Sequence, residues 1–295
     1  MKQNTKLYVL RAFTILIWGN SFVAVGVAIR DGSSPVLIAM ARWIIASSIF
    51  GVYILWKKPR GLARADRKSF LGLAFVGVGI YYVFQYYGVA LAGAAISAIL
   101  VTLLCPIIIF VLSYAKYGEQ VGNLQKFGLG LATLGAYFLI TNGTVSFISD
   151  WKELVGGLFG VTCAVLWALY TVGGKQILRK YNALESTAYL SFIGTAMLAP
   201  FAVADAQLAH PLEFPLSFWI AAVYLGVLCT VLGYVWWFRA LTGLSASSTG
   251  ITLYFEPLVT VVFAWIILGQ TIGWIAGAGG VLVLAGVLLV SRSRR

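Results

Sequence analysis

Charge is scarce in this sequence: Asp, Glu, Lys and Arg make up 10% of its 295 residues, where a soluble domain carries about 25%. That is too little polar surface to face water, and a soluble globular protein is excluded. Acids number nine, and there is one histidine, His210. The three cysteines, Cys105, Cys163 and Cys229, each sit inside an apolar stretch without C-x-x-C spacing. A disulfide framework, a thiol redox motif and a metal-ligand cluster are therefore not expected, and the cysteines read as small packing residues. No P-loop and no Ser-His-Asp set occur, so the chain reads neither as an enzyme nor as an ATP-driven pump, and no cofactor or metal is expected. His210 falls in a connector and reads as solvated.

What is present is apolar: 61% of the residues are hydrophobic and the mean hydropathy is +0.93. A helix needs about 20 apolar residues to cross the hydrocarbon of a bilayer. Ten segments qualify: 7–29, 36–56, 69–91, 95–115, 127–142, 155–174, 186–204, 216–238, 247–267 and 274–290. The expected fold is an all-α membrane protein with ten transmembrane helices. The first segment contains Arg11, is longer than a signal-peptide core and has no small-x-small site after it, so it reads as a retained span.

The net charge of +12 does not indicate a nucleic-acid partner, because the basic residues are confined to connectors and ends. With a cytoplasmic N-terminus, 18 of the 21 Lys and Arg fall on the inner side, six of them in the 57–68 loop. Arg30 and Lys152 fall outside, and Arg42 lies within a span. The bias places both termini in the cytoplasm.

The two halves repeat. Adding 151 to Pro106, Gly118, Gly122, Gly128 and Gly135 gives Pro257, Gly269, Gly273, Gly279 and Gly286. An offset of 149 carries Trp18 to Trp167, and one of 150 carries Ala90-Leu91-x-Gly93 to Ala240-Leu241-x-Gly243. The expected organisation is a first five-helix repeat (1–142), an external linker (143–154) and a second repeat (155–295). Five is odd, so the copies enter the membrane in opposite senses. Inverted repeats are a transporter architecture, with the site at the repeat interface near the midplane.

The run Trp18-Gly19-Asn20-Ser21-Phe22-Val23, then Pro35 and Arg42, resembles the EamA-type branch of the drug/metabolite transporter superfamily. So do the half-endings, in which a Pro, eleven residues and a Gly precede Glu119 or Gln270 and a Gly-spaced helix. The resemblance covers nearly the whole chain. It implies a ten-helix, two-repeat carrier in a bacterial-type plasma (inner) membrane, working by alternating access. Within the branch the chain is similar to amino-acid exporters, those for aromatic and neutral amino acids included. Gln270 departs from the Glu that many relatives carry, which puts a proton role for a carboxylate there in doubt.

The candidate substrate-binding residues are the polar and aromatic groups held within spans. Glu256, roughly 14 Å deep counting from residue 247 at about 1.5 Å per residue, is the one acid well inside a span, reading as a substrate-amine contact, a proton switch or a structural carboxylate. Gln85 should point inward, sharing an arc with Tyr82 or Tyr86. Trp18 and Asn20 on the first span, with Trp167 and Tyr170 on the sixth, form similar aromatic–polar sets. Pro106 and Pro257 deprive the carbonyls of Thr102 and Leu253 of their helical donors and read as paired hinges or packing kinks. Arg42 reads mainly as structural, its stem long enough to snorkel outward. Trp236 and Trp237, beside Arg239, read as interface-belt residues.

The function expected is a secondary transporter of small zwitterionic or neutral metabolites, most plainly an amino-acid exporter. Its partners are that substrate and the lipid bilayer, and a monomer is the expected form. The alternatives are a drug or other metabolite efflux carrier of the same fold, a passive channel and a non-transporting membrane scaffold.

Overall fold

The structure, a computed structural model, describes residues 2–59, 61–118, 122–141, 151–210, 213–268 and 273–292. Among these every regular element is a helix. Glu119, Gln270, Gly269 and residues 143–150 of the expected linker lie outside the described residues.

The first expected span is broken. α1 (Lys2–Trp18) ends at a turn over Gly19 and Asn20, and α2 (Ser21–Arg30) resumes after it. The break lets the chain approach a second interrupted helix closely. A Cβ on Gly19 would lie 2.8 Å from Val259 Cβ and 3.1 Å from the Glu256 carbonyl oxygen. The Gly19 carbonyl accepts from the Thr260 hydroxyl. A backbone group released by the turn is thus satisfied from within the protein, as a low-dielectric interior requires.

α3 (Pro35–Lys57) starts with proline at its first position, where the missing N–H costs nothing, and ends with Lys58 in the left-handed region. α4 (Arg67–Ala74) leads through a π-helical stretch, Phe75–Gly79, into α5 (Ile80–Tyr117). Inside α5 the helical path breaks at Gly93, whose φ of 79° suits only glycine. This is the short connector between the third and fourth expected spans. Pro106 lies further along α5, and the nearby Leu103 carbonyl accepts from Tyr254 Oη at 3.2 Å.

α6 (Asn123–Thr141), α7 (Trp151–Ile177) and α8 (Ala183–Val203) follow. Asn182 caps α8, its side chain accepting from the Glu185 N–H at 2.8 Å. α9 (Leu216–Val223) passes through a second π-helical stretch, Tyr224–Leu232, into α10 (Gly233–Gly243). The expected ninth span is also interrupted: α11 (Ala246–Gly250), a 3₁₀ turn at Ile251–Tyr254, and only then α12 (Phe255–Leu268). Pro257 therefore stands in the first turn of α12, where its missing donor breaks little. It is not a mid-helix kink like Pro106. α13 (Trp274–Arg292) ends the described chain.

Among the described residues, seven helical stretches are long and apolar enough to cross a membrane by length and composition. The other three expected segments are helical too, but shorter, interrupted or more polar. α6 and α13 pack antiparallel through glycines. A Cβ on Gly128 would fall 2.7 Å from the Gly286 oxygen, and one on Gly135 2.7 Å from the Gly279 oxygen.

Candidate functional site

The interior ends of α1, α3, α5, α7 and α10 enclose one aromatic cluster. Trp18 and Trp167 meet edge to face at 5.2 Å between ring centroids. Tyr234 lies 5.6 Å from Trp18 and 5.4 Å from Trp167. Tyr82 and Tyr234 share a hydroxyl–hydroxyl bond of 2.5 Å, which ties α5 to α10. The Trp18 Nε1–H donates to the Cys229 carbonyl at 2.8 Å, inside the second π-helical stretch. Gly233 makes room for that ring, since a Cβ there would sit 2.4 Å from Trp18 Nε1. Gly77, in the first π stretch, does the same for Tyr170.

Arg42 does not snorkel. It is buried, with Nε donating to Thr230 Oγ1 at 2.6 Å and Nη1 donating to Tyr86 Oη at 3.2 Å. Its guanidinium carbon lies 4.6 Å from the Tyr82 ring centroid, within cation–π range. Arg42 thus sits inside the cluster rather than reaching outward, because Thr230, Tyr86 and the Tyr82 ring, from α5 and the second π-helical stretch, meet its planar fork.

A cavity of about 40 Å³ lies between these groups. Of the candidate residues, Trp18, Tyr82, Gln85, Trp167 and Glu256 line it, and Arg42 and Tyr234 join them. Gln85 Nε2 donates to Tyr81 Oη at 3.2 Å, but Gln85 Oε1 and Trp167 Nε1 are buried without a partner among the described residues. Glu256 is buried as well, and no described cation pairs with it. Buried polar atoms are normally satisfied. The Gln85 oxygen and the Trp167 N–H, with the Glu256 carboxyl across from a third helix, leave a site for water or a ligand's polar atoms.

The other expected site residues lie elsewhere. Tyr86 lies outside the lining, bonded to Arg42 and packed on Tyr82, and Tyr170 stacks behind Trp167 against Phe238. Asn20, in the α1–α2 turn, is half-buried and outside the lining. Neither Pro106 nor Pro257 lines it. Trp237 is not a belt residue: it is fully buried, 5.3 Å from Trp18 and 6.0 Å from Trp167. A π turn takes more residues than an α turn, so the face that follows Tyr224–Leu232 is rotated inward. His210 is exposed beside Glu213 at 3.5 Å, far from any cavity wall described here. Tyr234 had a signal in the repeat, since the offset of 149 that links Trp18 to Trp167 carries Gln85 onto Tyr234.

Apolar helices of membrane length packed around a polar, aromatic-walled cavity define a multi-span membrane protein with an internal polar cavity. The chain matches the EamA-like transporter family over residues 6–141 and 154–292. It belongs to that family, within the drug/metabolite transporter superfamily, and is a transporter rather than an enzyme. It is 31% identical over 291 residues to a protein of Archaeoglobus fulgidus named as an uncharacterized transporter, covering 98% of both chains. It is 27% identical to a probable terminal-alkyne amino-acid exporter of Streptantibioticus cattleyicolor, covering 99% of this chain and 95% of that one. A solved crystal structure superposes with a TM-score of 0.77 at 20% identity, over 98% of this chain and 97% of the other, a likeness that speaks to the fold alone.

Proposed function

We propose that this transporter carries small zwitterionic or neutral metabolites, amino acids first among them, outward across a bacterial-type plasma membrane by alternating access. The observation that carries the reading is one small internal cavity faced by both the Arg42 guanidinium and the Glu256 carboxyl group, which are not joined to each other. A carboxylate and an amine on one small molecule would complement them, and the aromatic walls would take its side chain. The relative named as an amino-acid exporter supports that class. In this reading residues 1–142 and 155–295 are inverted five-helix halves joined by 143–154, giving ten spans with both termini cytoplasmic. The antiparallel glycine crossing of α6 and α13, helices that the repeat pairs, supports the inversion.

At about 40 Å³ the cavity holds a few waters. Ligand pockets are roughly 300–1,000 Å³, so the chamber must open to load. Two latches are placed to control that. At one end the Asp205 carboxylate accepts from the Ser34 hydroxyl, and Gln207 accepts from the Ser34 N–H at 2.8 Å and donates to the Gly32 carbonyl at 2.9 Å. At the other end Lys180 Nζ donates to Asp66 at 2.6 Å, and Tyr181 Oη donates to the same carboxylate at 3.1 Å. Each latch joins the first loop of one half to the second loop of the other. The hydrogen bond to Asp66 raises the Lys180 pKa above its ordinary value. The lysine's contribution is therefore present below about pH 10 and lost only as pH rises through the shifted value. Between pH 5 and 8 Lys180 does not titrate, and a pH-dependent flux must come from another group.

Flux of a panel of twenty amino acids into proteoliposomes tests the substrate class, and no flux above empty vesicles would remove it. Saturation and counterflow separate a carrier from a passive channel. Glu256 is the proposed coupling group. Glu256→Gln is expected to abolish the pH dependence of net flux while leaving counterflow largely intact. A mutant with the wild-type pH profile would return Glu256 to a structural role. The aromatic walls also suit a drug or other apolar metabolite, and competition by such compounds against amino-acid flux measures that alternative.

A further inference from the structure

A second and larger cavity lies away from the chamber. It is a crevice of about 420 Å³ between α4 and α7, at the end of the molecule that carries the Lys180 latch. Its walls change character along their length. Lys68, Lys116 and Lys180 line the end near the latch with Asp66, whereas Leu73, Val76 and Leu169 line it further along the helices. α4 enters the bundle from its polar end and α7 leaves through its own, so the two gradients run together. Gly72 borders open space in the crevice, where a Cβ would meet no atom within 4 Å. Leu71, Phe75 and Leu169 nearby are exposed, as residues facing hydrocarbon are. Trp167 and Tyr170, which belong to the aromatic cluster, stand on a different face of α7 from Leu169 and Gly173.

Asp66 is already engaged by Lys180 and Tyr181, so the end near the latch keeps a surplus of positive charge from Lys68 and Lys116. A free phosphate would satisfy the lysines and leave the apolar walls bare. A zwitterionic lipid would fill the walls and bring its own cation to the lysines. An anionic lipid matches both ends, and basic pockets between spans are known to hold such headgroups. We infer that this crevice binds one anionic phospholipid, its phosphate on Lys68, Lys116 and Lys180 and an acyl chain along Leu73, Val76 and Leu169. The inference rests on residence in a membrane and not on the transported substrate.

Native mass spectrometry of the full chain in detergent, titrated with phosphatidylglycerol or phosphatidylcholine, reads the binding directly and without transport. One phosphatidylglycerol should be retained in preference to phosphatidylcholine. The Lys68→Gln/Lys116→Gln variant should retain it roughly thirty-fold less, and Lys68→Arg/Lys116→Arg should keep it. Gly72→Leu, which fills the slot without touching a charge, should also lower retention. Inorganic phosphate at millimolar concentration should not displace the lipid. Equal retention of the two lipids, undiminished retention in both the double Gln variant and Gly72→Leu, or displacement by phosphate would each overturn the assignment.

Discussion

Replacing Arg42 by methionine is expected to lower substrate flux at least roughly ten-fold while the protein stays folded. A hydrogen bond to a charged group contributes about 1.5–3 kcal/mol, and each 1.4 kcal/mol is about a factor of ten. If Arg42 holds the substrate's carboxylate, its loss removes at least one such bond from the loaded state. Stability should suffer less. Thr230 Oγ1 also donates to the Leu225 carbonyl at 2.8 Å, so the deletion does not orphan its hydroxyl, and exchanging a buried charge for an apolar chain of similar volume is often neutral. Arg42→Lys keeps the charge and loses the planar fork, so it should fall between the two. Flux in proteoliposomes beside thermal unfolding in detergent separates the roles. Wild-type flux in Arg42→Met, or unfolding of both variants, would remove Arg42 from the binding site.

The largest effect on the fold is expected at Gly279. A Cβ there would lie 2.4 Å from the Leu139 backbone nitrogen and 2.6 Å from the Gly135 oxygen. Both neighbours are backbone and cannot swing aside, so α6 and α13 must separate along their length. Without a hydrophobic driving force in lipid, such contacts rely on close packing of small residues. Overpacking costs about 1–3 kcal/mol where a core can partly adjust, and Gly279→Val should reach or exceed that. The control is on the same helix: a Cβ on Gly277 meets nothing within 4 Å, so Gly277→Ala should be silent. Fluorescence-detected size-exclusion chromatography across a temperature series checks the pair. Equal melting of the two variants would mean that the crossing contributes little.

Membrane residence and the family were legible because they rest on coarse quantities: the length of apolar runs, the charge of connectors and a repeated Pro/Gly spacing. The breaks were not. Gly19-Asn20-Ser21 and Thr249-Gly250-Ile251-Thr252 are short polar interruptions inside long apolar runs, which run length alone passes over, and the contact between the two regions, the Thr260 hydroxyl on the Gly19 carbonyl, is tertiary. Arg42 was misplaced for a related reason. One helix considered alone offers a long basic side chain only lipid or water, whereas its partners Thr230 and Tyr86 come from elsewhere in the chain. Of the expected site residues, those facing the cavity are Trp18, Tyr82, Gln85, Trp167 and Glu256. Tyr86, Tyr170 and Asn20 fall outside because position along a span fixes depth, not rotation, and the π-helical stretches shift rotation locally.

Both latches are made in this one structure, with only a few waters' worth of space between them. That shape matters to the membrane as an insulator. Hydrocarbon is about 30 Å thick, so a conducting file of water would need many molecules in line. Each elementary charge that slips across 100 mV dissipates about 2.3 kcal/mol of the stored gradient. A carrier that passes through a doubly sealed intermediate can turn over without short-circuiting the cell. In the proposed mechanism, the tight aromatic chamber would serve the bilayer's electrical resistance as well as the cargo.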